Sequence, residues 1–76
     1  MSPRLPVLTP REVVRALEKA GFYVHHQTGS HVHLKHRARA ELRLTVPFHN
    51  RDLPKAVVRS IIRQAAMSVD EFTDLL

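Results

Sequence analysis

Gly29-Ser30-His31-Val32-His33-Leu34-Lys35 decides how this chain folds. Val32 and Leu34 point to one side of an extended backbone, and His31, His33 and Lys35 point to the other. This is the period-two alternation of a strand with one buried face. The Thr28-Gly29 step before it reads as the turn of a hairpin, because Gly reaches positive φ without strain. Upstream, residues 22–27 keep the same period, with Phe22 and Val24 on one face and Tyr23 and His25 on the other. Downstream, beyond the basic turn Arg37-Ala38-Arg39-Ala40, Leu42, Leu44 and Val46 alternate with Glu41, Arg43 and Thr45 until Pro47 stops regular pairing. Three strands joined by short turns make one antiparallel sheet.

The flanking segments change to a helical period. Thr9-Pro10-Arg11-Glu12 has the form of a capping box with proline at the first helical position, and Val13, Val14, Leu17 and Ala20 follow at helical spacing. Gly21 is placed to end this helix in a left-handed conformation. A second helix opens near Pro54, with Val57, Val58, Ile61, Ile62 and Ala65 as its apolar stripe. Ser68-Val69-Asp70-Glu71 is a further capping box, opening a short last helix. Both long helices must lay their stripes on the apolar sheet face, since nothing else can bury them.

The expected fold class is therefore α+β, a two-layer α-β-β-β-α sandwich of one domain over residues 1–76, with the helices on one face of a three-stranded antiparallel sheet. Its core comprises Val13, Leu17, Phe22, Val32, Leu34, Leu44, Val58, Ile61 and Ile62, with Val24 and Leu42 on the same apolar sheet face. The other face, open to water, carries Tyr23, His25, His31, His33, Lys35, Arg43 and Thr45. His26 falls on the core side near the sheet edge, and His36 falls in a turn.

Composition narrows the function. The 76 residues contain no Cys, which removes disulfides and thiolate metal sites. An apolar fraction of 43% argues against disorder. No apolar run approaches the roughly 20 residues of a membrane span, so no membrane association is expected. Met1-Ser2-Pro3-Arg4-Leu5-Pro6 has no long apolar stretch behind its one basic residue, so a cytoplasmic protein without a secretory signal is expected. Twelve Lys and Arg against seven Asp and Glu leave a net charge of +5, which favours a polyanionic partner through long-range attraction. An imidazole set among cations at a hairpin suggests proton transfer on such a polyanion. Ser30 has no Asp-His relay and reads as a turn hydroxyl. His31 and His33 share a spacing found in metal sites. No Cys and no convergent carboxylate completes a tetrahedral set, so neither metal nor cofactor is expected.

Taken in order, these pieces resemble a known family. The first helix ending in Gly21-Phe22, Gly29-Ser30-His31 at the hairpin and Val46-Pro47-Phe48-His49 closing the third strand all resemble the HicA toxins. So does Arg59-Ser60-Ile61-Ile62-Arg63-Gln64-Ala65, with Glu71-Phe72 beyond it. HicA toxins are small endoribonucleases of toxin–antitoxin systems that share the fold of double-stranded-RNA-binding domains. The chain departs from the family pattern at Lys55-Ala56-Val57, where a Gly-Thr-Leu-like start is usual, and at Ala66, where a Gly is usual. The resemblance implies metal-independent cleavage of RNA, specifically mRNA, with His31 as the catalytic residue and a HicB-type antitoxin as the protein partner. Gly29, Ser30, His33, Lys35, Arg43 and His49 are the residues expected to contact substrate. Without the catalytic step, the same basic surface would make a simple RNA-binding module.

Overall fold

A computed structural model describes residues 5–76. Residues 1–4, read above as free of a secretory signal, lie outside the described residues. Helix α1 (Pro10–Lys19) begins as its sequence dictates: the Thr9 hydroxyl accepts from the Glu12 amide at 3.2 Å, and the Glu12 carboxylate accepts from the Thr9 amide at 2.9 Å. Those reciprocal bonds satisfy amides that the first helical turn leaves without partners. The helix stops at Ala20, and Gly21 turns the chain at φ +103°. A Cβ on Gly21 would lie 2.7 Å from His36 Nε2, so glycine is needed here for space as well as for conformation.

The His36 ring explains that crowding. Its Nδ1 accepts from the Ala38 and Arg39 amides, each at 3.1 Å, so the proton is assigned to Nε2, which donates to the Ala20 carbonyl at 3.0 Å. Its edge meets Phe22 with ring centroids 4.8 Å apart. His36, expected in a turn, is instead the last residue of the second strand, and its ring ties the turn that follows to the end of α1.

Three antiparallel strands, β1 (Phe22–Thr28), β2 (His31–His36) and β3 (Arg43–Pro47), form a sheet in the order β1-β2-β3. The third strand was expected from Glu41 but begins two residues later, because the Leu42 amide turns back to the Arg39 carbonyl at 2.9 Å and keeps Glu41 in the turn. In β1 the register slips between Val24, opposite Leu34, and His26, opposite His33. His25 is thus the extra residue of a β-bulge, and the alternation reverses beyond it. His26 consequently lies on the open face beside its partner His33, which corrects its expected place on the core side.

One apolar cluster forms from the inner sheet face, α1, α2 (Lys55–Gln64) and α3 (Val69–Thr73). All nine residues expected in the core are buried. Val24 is not: it remains 44% exposed, because it lies on an edge strand beyond the cover of α1. Leu5 and Leu8 from the N-terminal lead join the cluster with Leu53, as the Leu53 amide donates to the Leu8 carbonyl at 2.8 Å. At the end of α2, the Met67 amide donates to the Ile62 carbonyl and the Ala66 amide to the Arg63 carbonyl. This is the Schellman pattern, and it holds Ala66 at φ +59°. The Ser68–Glu71 capping box then opens α3, whose Phe72 is fully buried.

Candidate functional site

The hairpin between β1 and β2 closes through two residues, Gly29 and Ser30. Gly29 alone of the pair has positive φ, at +56°, the pattern of a type II′ turn whose twist matches the flanking strands. A Cβ on Gly29 would meet nothing within 4 Å, so the outer side of the turn is open space. The Ser30 carbonyl accepts from the Phe48 amide, which draws the loop after β3 against the hairpin. His31 opens β2 between Thr28 on one side and Pro47 on the other. Its side chain is exposed, and among the described residues it makes no hydrogen bond or ion pair. His49 lies exposed in the loop that Phe48 anchors, with Nδ1 accepting from the Arg51 amide at 3.2 Å.

His33 occupies the middle of the open face and is held from both flanks. One ring nitrogen shares a hydrogen bond with the Thr28 hydroxyl at 2.7 Å, and the other with the Thr45 hydroxyl at 3.1 Å. The ring of His26 stacks on it, with centroids 4.4 Å apart and planes 14° apart. His25 in turn shares a hydrogen bond with His26, Nδ1 to Nδ1, at 2.7 Å. These rings line a concavity of about 440 Å³ together with Lys35, Arg43, Thr45 and Gln64 from the end of α2.

Lys35 and Arg43 face each other directly across β2 and β3. Two like charges in that relation repel. The ion pair formed among the described residues, Arg39 with Glu41, involves neither of them. Tyr23 is the partner of Lys35 on β1, and the Arg37 guanidinium sits 5.3 Å above its ring. The carboxylates with displaced pKa values belong to the scaffold. Glu12 and Glu71 are lowered first by the backbone amides of Thr9 and Ser68 and then by their hydroxyls. Glu41 is lowered first by its own backbone amide and further by Arg39.

The structure thus spreads the expected site residues along one face. Gly29, Ser30 and His31 gather at the hairpin end with the His49 loop, His33 sits centrally, and Lys35 and Arg43 lie at the other end. Four residue steps of strand separate Lys35 from His31, roughly 13 Å of backbone, so the cations and His31 address different parts of any extended ligand. Among the described residues no three His, Asp or Glu side chains are grouped to hold a metal ion. The residue missed by sequence reasoning is His26, which faces outward only because of the bulge at His25.

No curated protein sequence matches this chain. A family model does: that of the HicA toxin of bacterial toxin–antitoxin systems, over residues 10–67. The match runs from the first residue of α1 to the end of the Schellman motif after α2, and so spans the whole sheet and the hairpin bearing His31. The chain belongs to the HicA family and is the toxin of a toxin–antitoxin system.

Proposed function

We propose that this toxin is a metal-independent endoribonuclease that cleaves mRNA in the cytoplasm, with His31 as its proton-transfer group. The observation that carries the reading is the exposed, unengaged imidazole of His31 beside the open side of the Gly29 turn, on a face that also carries unpaired cations. RNA brings its own nucleophile, the 2′-hydroxyl. The His31 imidazole takes that proton as the 2′-oxygen forms a bond to the adjacent phosphorus. The bond from phosphorus to the 5′-oxygen breaks, and the imidazolium returns its proton to the leaving oxygen. The products are a 2′,3′-cyclic phosphate and a free 5′-hydroxyl. Proton transfer of this kind contributes roughly 10²–10⁴-fold. The Gly29 and Ser30 amides, in the turn next to His31, are suited to receive charge on the phosphoryl oxygens. His33, engaged at both nitrogens by threonine hydroxyls, and His49 contact substrate from either side, while Lys35 and Arg43 hold the backbone further along.

A HicB-type antitoxin silences the toxin by covering this face with acidic groups. The deciding experiment incubates purified protein with RNA in excess chelator. Cleavage to cyclic-phosphate ends, lost in His31→Ala while RNA binding persists, is the expected result. Full cleavage by the His31→Ala protein, with contaminating nuclease excluded, refutes the role of His31. Binding without cleavage by the parent protein replaces the enzyme with an RNA-binding module, which the cation pair alone would support.

A further inference from the structure

We propose that RNA lies on this face as a single strand running along β2, with one unpaired base seated on the exposed ring of His26 and the neighbouring phosphate between Lys35 and Arg43. The inference rests on the reading of the open face as the RNA site and narrows that substrate to unstacked nucleotides. Four observations lead to it. First, His26 and His33 form a flat two-ring stack, 14° from parallel, and His26 is exposed, with the His25 ring set nearly perpendicular to it at 4.9 Å and hydrogen-bonded at its Nδ1 edge. Second, the stack is fixed before any ligand arrives. The Thr28 and Thr45 hydroxyls hold His33 at both nitrogens, and His25 holds His26 at Nδ1. Third, the bulge at His25 is what turns His26 outward, at the expense of regular pairing in β1. Bulges of this kind re-aim side chains next to functional sites.

The fourth observation is spacing. His31, His33 and Lys35 repeat on one strand face at roughly 6.7 Å, two residues of strand rise. That is about the step of one extended nucleotide, so with one phosphate at His31 the phosphate two steps along falls at the cations, and a base between them falls over the His26–His33 stack. Lys35 and Arg43, directly opposed and without a carboxylate between them, are arranged for a bridging anion. A base inside a duplex has both faces covered by its neighbours, whereas a base in a single strand can be splayed onto a ring. The platform therefore selects unpaired RNA.

The test uses His31→Ala protein, to prevent cleavage, and a short single-stranded oligoribonucleotide carrying 2-aminopurine, whose fluorescence is quenched by stacking. A second arm uses the same oligonucleotide annealed to its complement. The additional change His26→Ala is expected to weaken single-strand binding by about fivefold or more and to abolish the quenching. His26→Phe, which restores a π-face but no proton chemistry, is expected to keep both. His26 is exposed, so its truncation leaves no cavity and circular dichroism should be unchanged. Equal binding by the three proteins, or duplex bound as tightly as single strand, overturns the stacking site while leaving the RNA reading in place. Failure of both RNA forms to bind removes the RNA reading itself and this inference with it.

Discussion

Ala66→Gly should make this protein more stable, although it removes a side-chain carbon and adds freedom to the unfolded chain. Ala66 sits just past the end of α2 at φ +59°, held there by the bonds from Met67 to Ile62 and from Ala66 to Arg63. A residue with a Cβ is strained in that conformation by about 1–2 kcal/mol, and glycine is not. Glycine gives back about 0.4–1 kcal/mol through the larger conformational entropy of its unfolded state. Ala66 is exposed, so its methyl group contributes little burial to offset the relief. The net gain is about 0.5–1 kcal/mol, which for a domain of this size raises Tm by roughly 2–8 °C. Thermal unfolding followed by circular dichroism measures it, and urea unfolding should give a higher midpoint with an unchanged slope. Ala66→Val should shift the midpoint the other way, since a β-branched residue tolerates positive φ least. An unchanged or lower Tm in Ala66→Gly would show that the strain at this helix end is not what the backbone implies.

Three further outcomes are expected. Gly21→Ala should destabilise by about 2–4 kcal/mol in a denaturant titration, since it adds backbone strain and drives a methyl group into the His36 ring that binds the Ala20 carbonyl. Glu71 has a folded pKa lowered by the Ser68 amide and hydroxyl, so its contribution is fully present above its unfolded value and is lost as pH falls through the lowered one. The Tm difference between parent and Glu71→Gln should accordingly be largest near neutrality and vanish in acid; a difference that persists in acid would refute the linkage. Lys35→Glu should stabilise the fold by up to about 1 kcal/mol through cross-strand attraction to Arg43, seen as a slightly higher Tm, while slowing antitoxin association in stopped-flow mixing and flattening its salt dependence.

The helix ends and the hairpin were legible because their signals are local. Thr9 with Glu12, Ser68 with Glu71, Gly21 and Gly29 each act within a few residues of themselves, and each adopts the conformation its type favours. Alternation assigned Val24 to the correct side of the sheet but carried no information on whether α1 reaches far enough to cover it. The pairing of Leu8 with Leu53 joins distant parts of the chain, and neither segment has a periodic pattern that announces burial. The bulge at His25 was invisible for a different reason. It is not marked by Gly, and an extra residue within Val24-His25-His26 leaves a period-two reading unbroken while reversing every side chain after it. The hairpin was therefore readable from sequence, and the imidazole stack beside it was not.

The local departures from stability in this fold fall into two kinds. Ala66 is strained at a helix end and is not among the residues lining the concavity beside the imidazole stack, so its correction should leave activity untouched. Lys35 opposite Arg43 and the bulge at His25 lie on the open face, and each produces a feature that a ligand can use. A phosphate between the two cations would convert a repulsion into two charge-assisted bonds, and an acidic antitoxin side chain in the same place would do so equally well. Substrate and inhibitor would then compete for one unsatisfied charge pair. On this argument a change that relieves the pair, such as Lys35→Glu, stabilises the free toxin while weakening both of its complexes. A change that relieves Ala66 stabilises all three states alike.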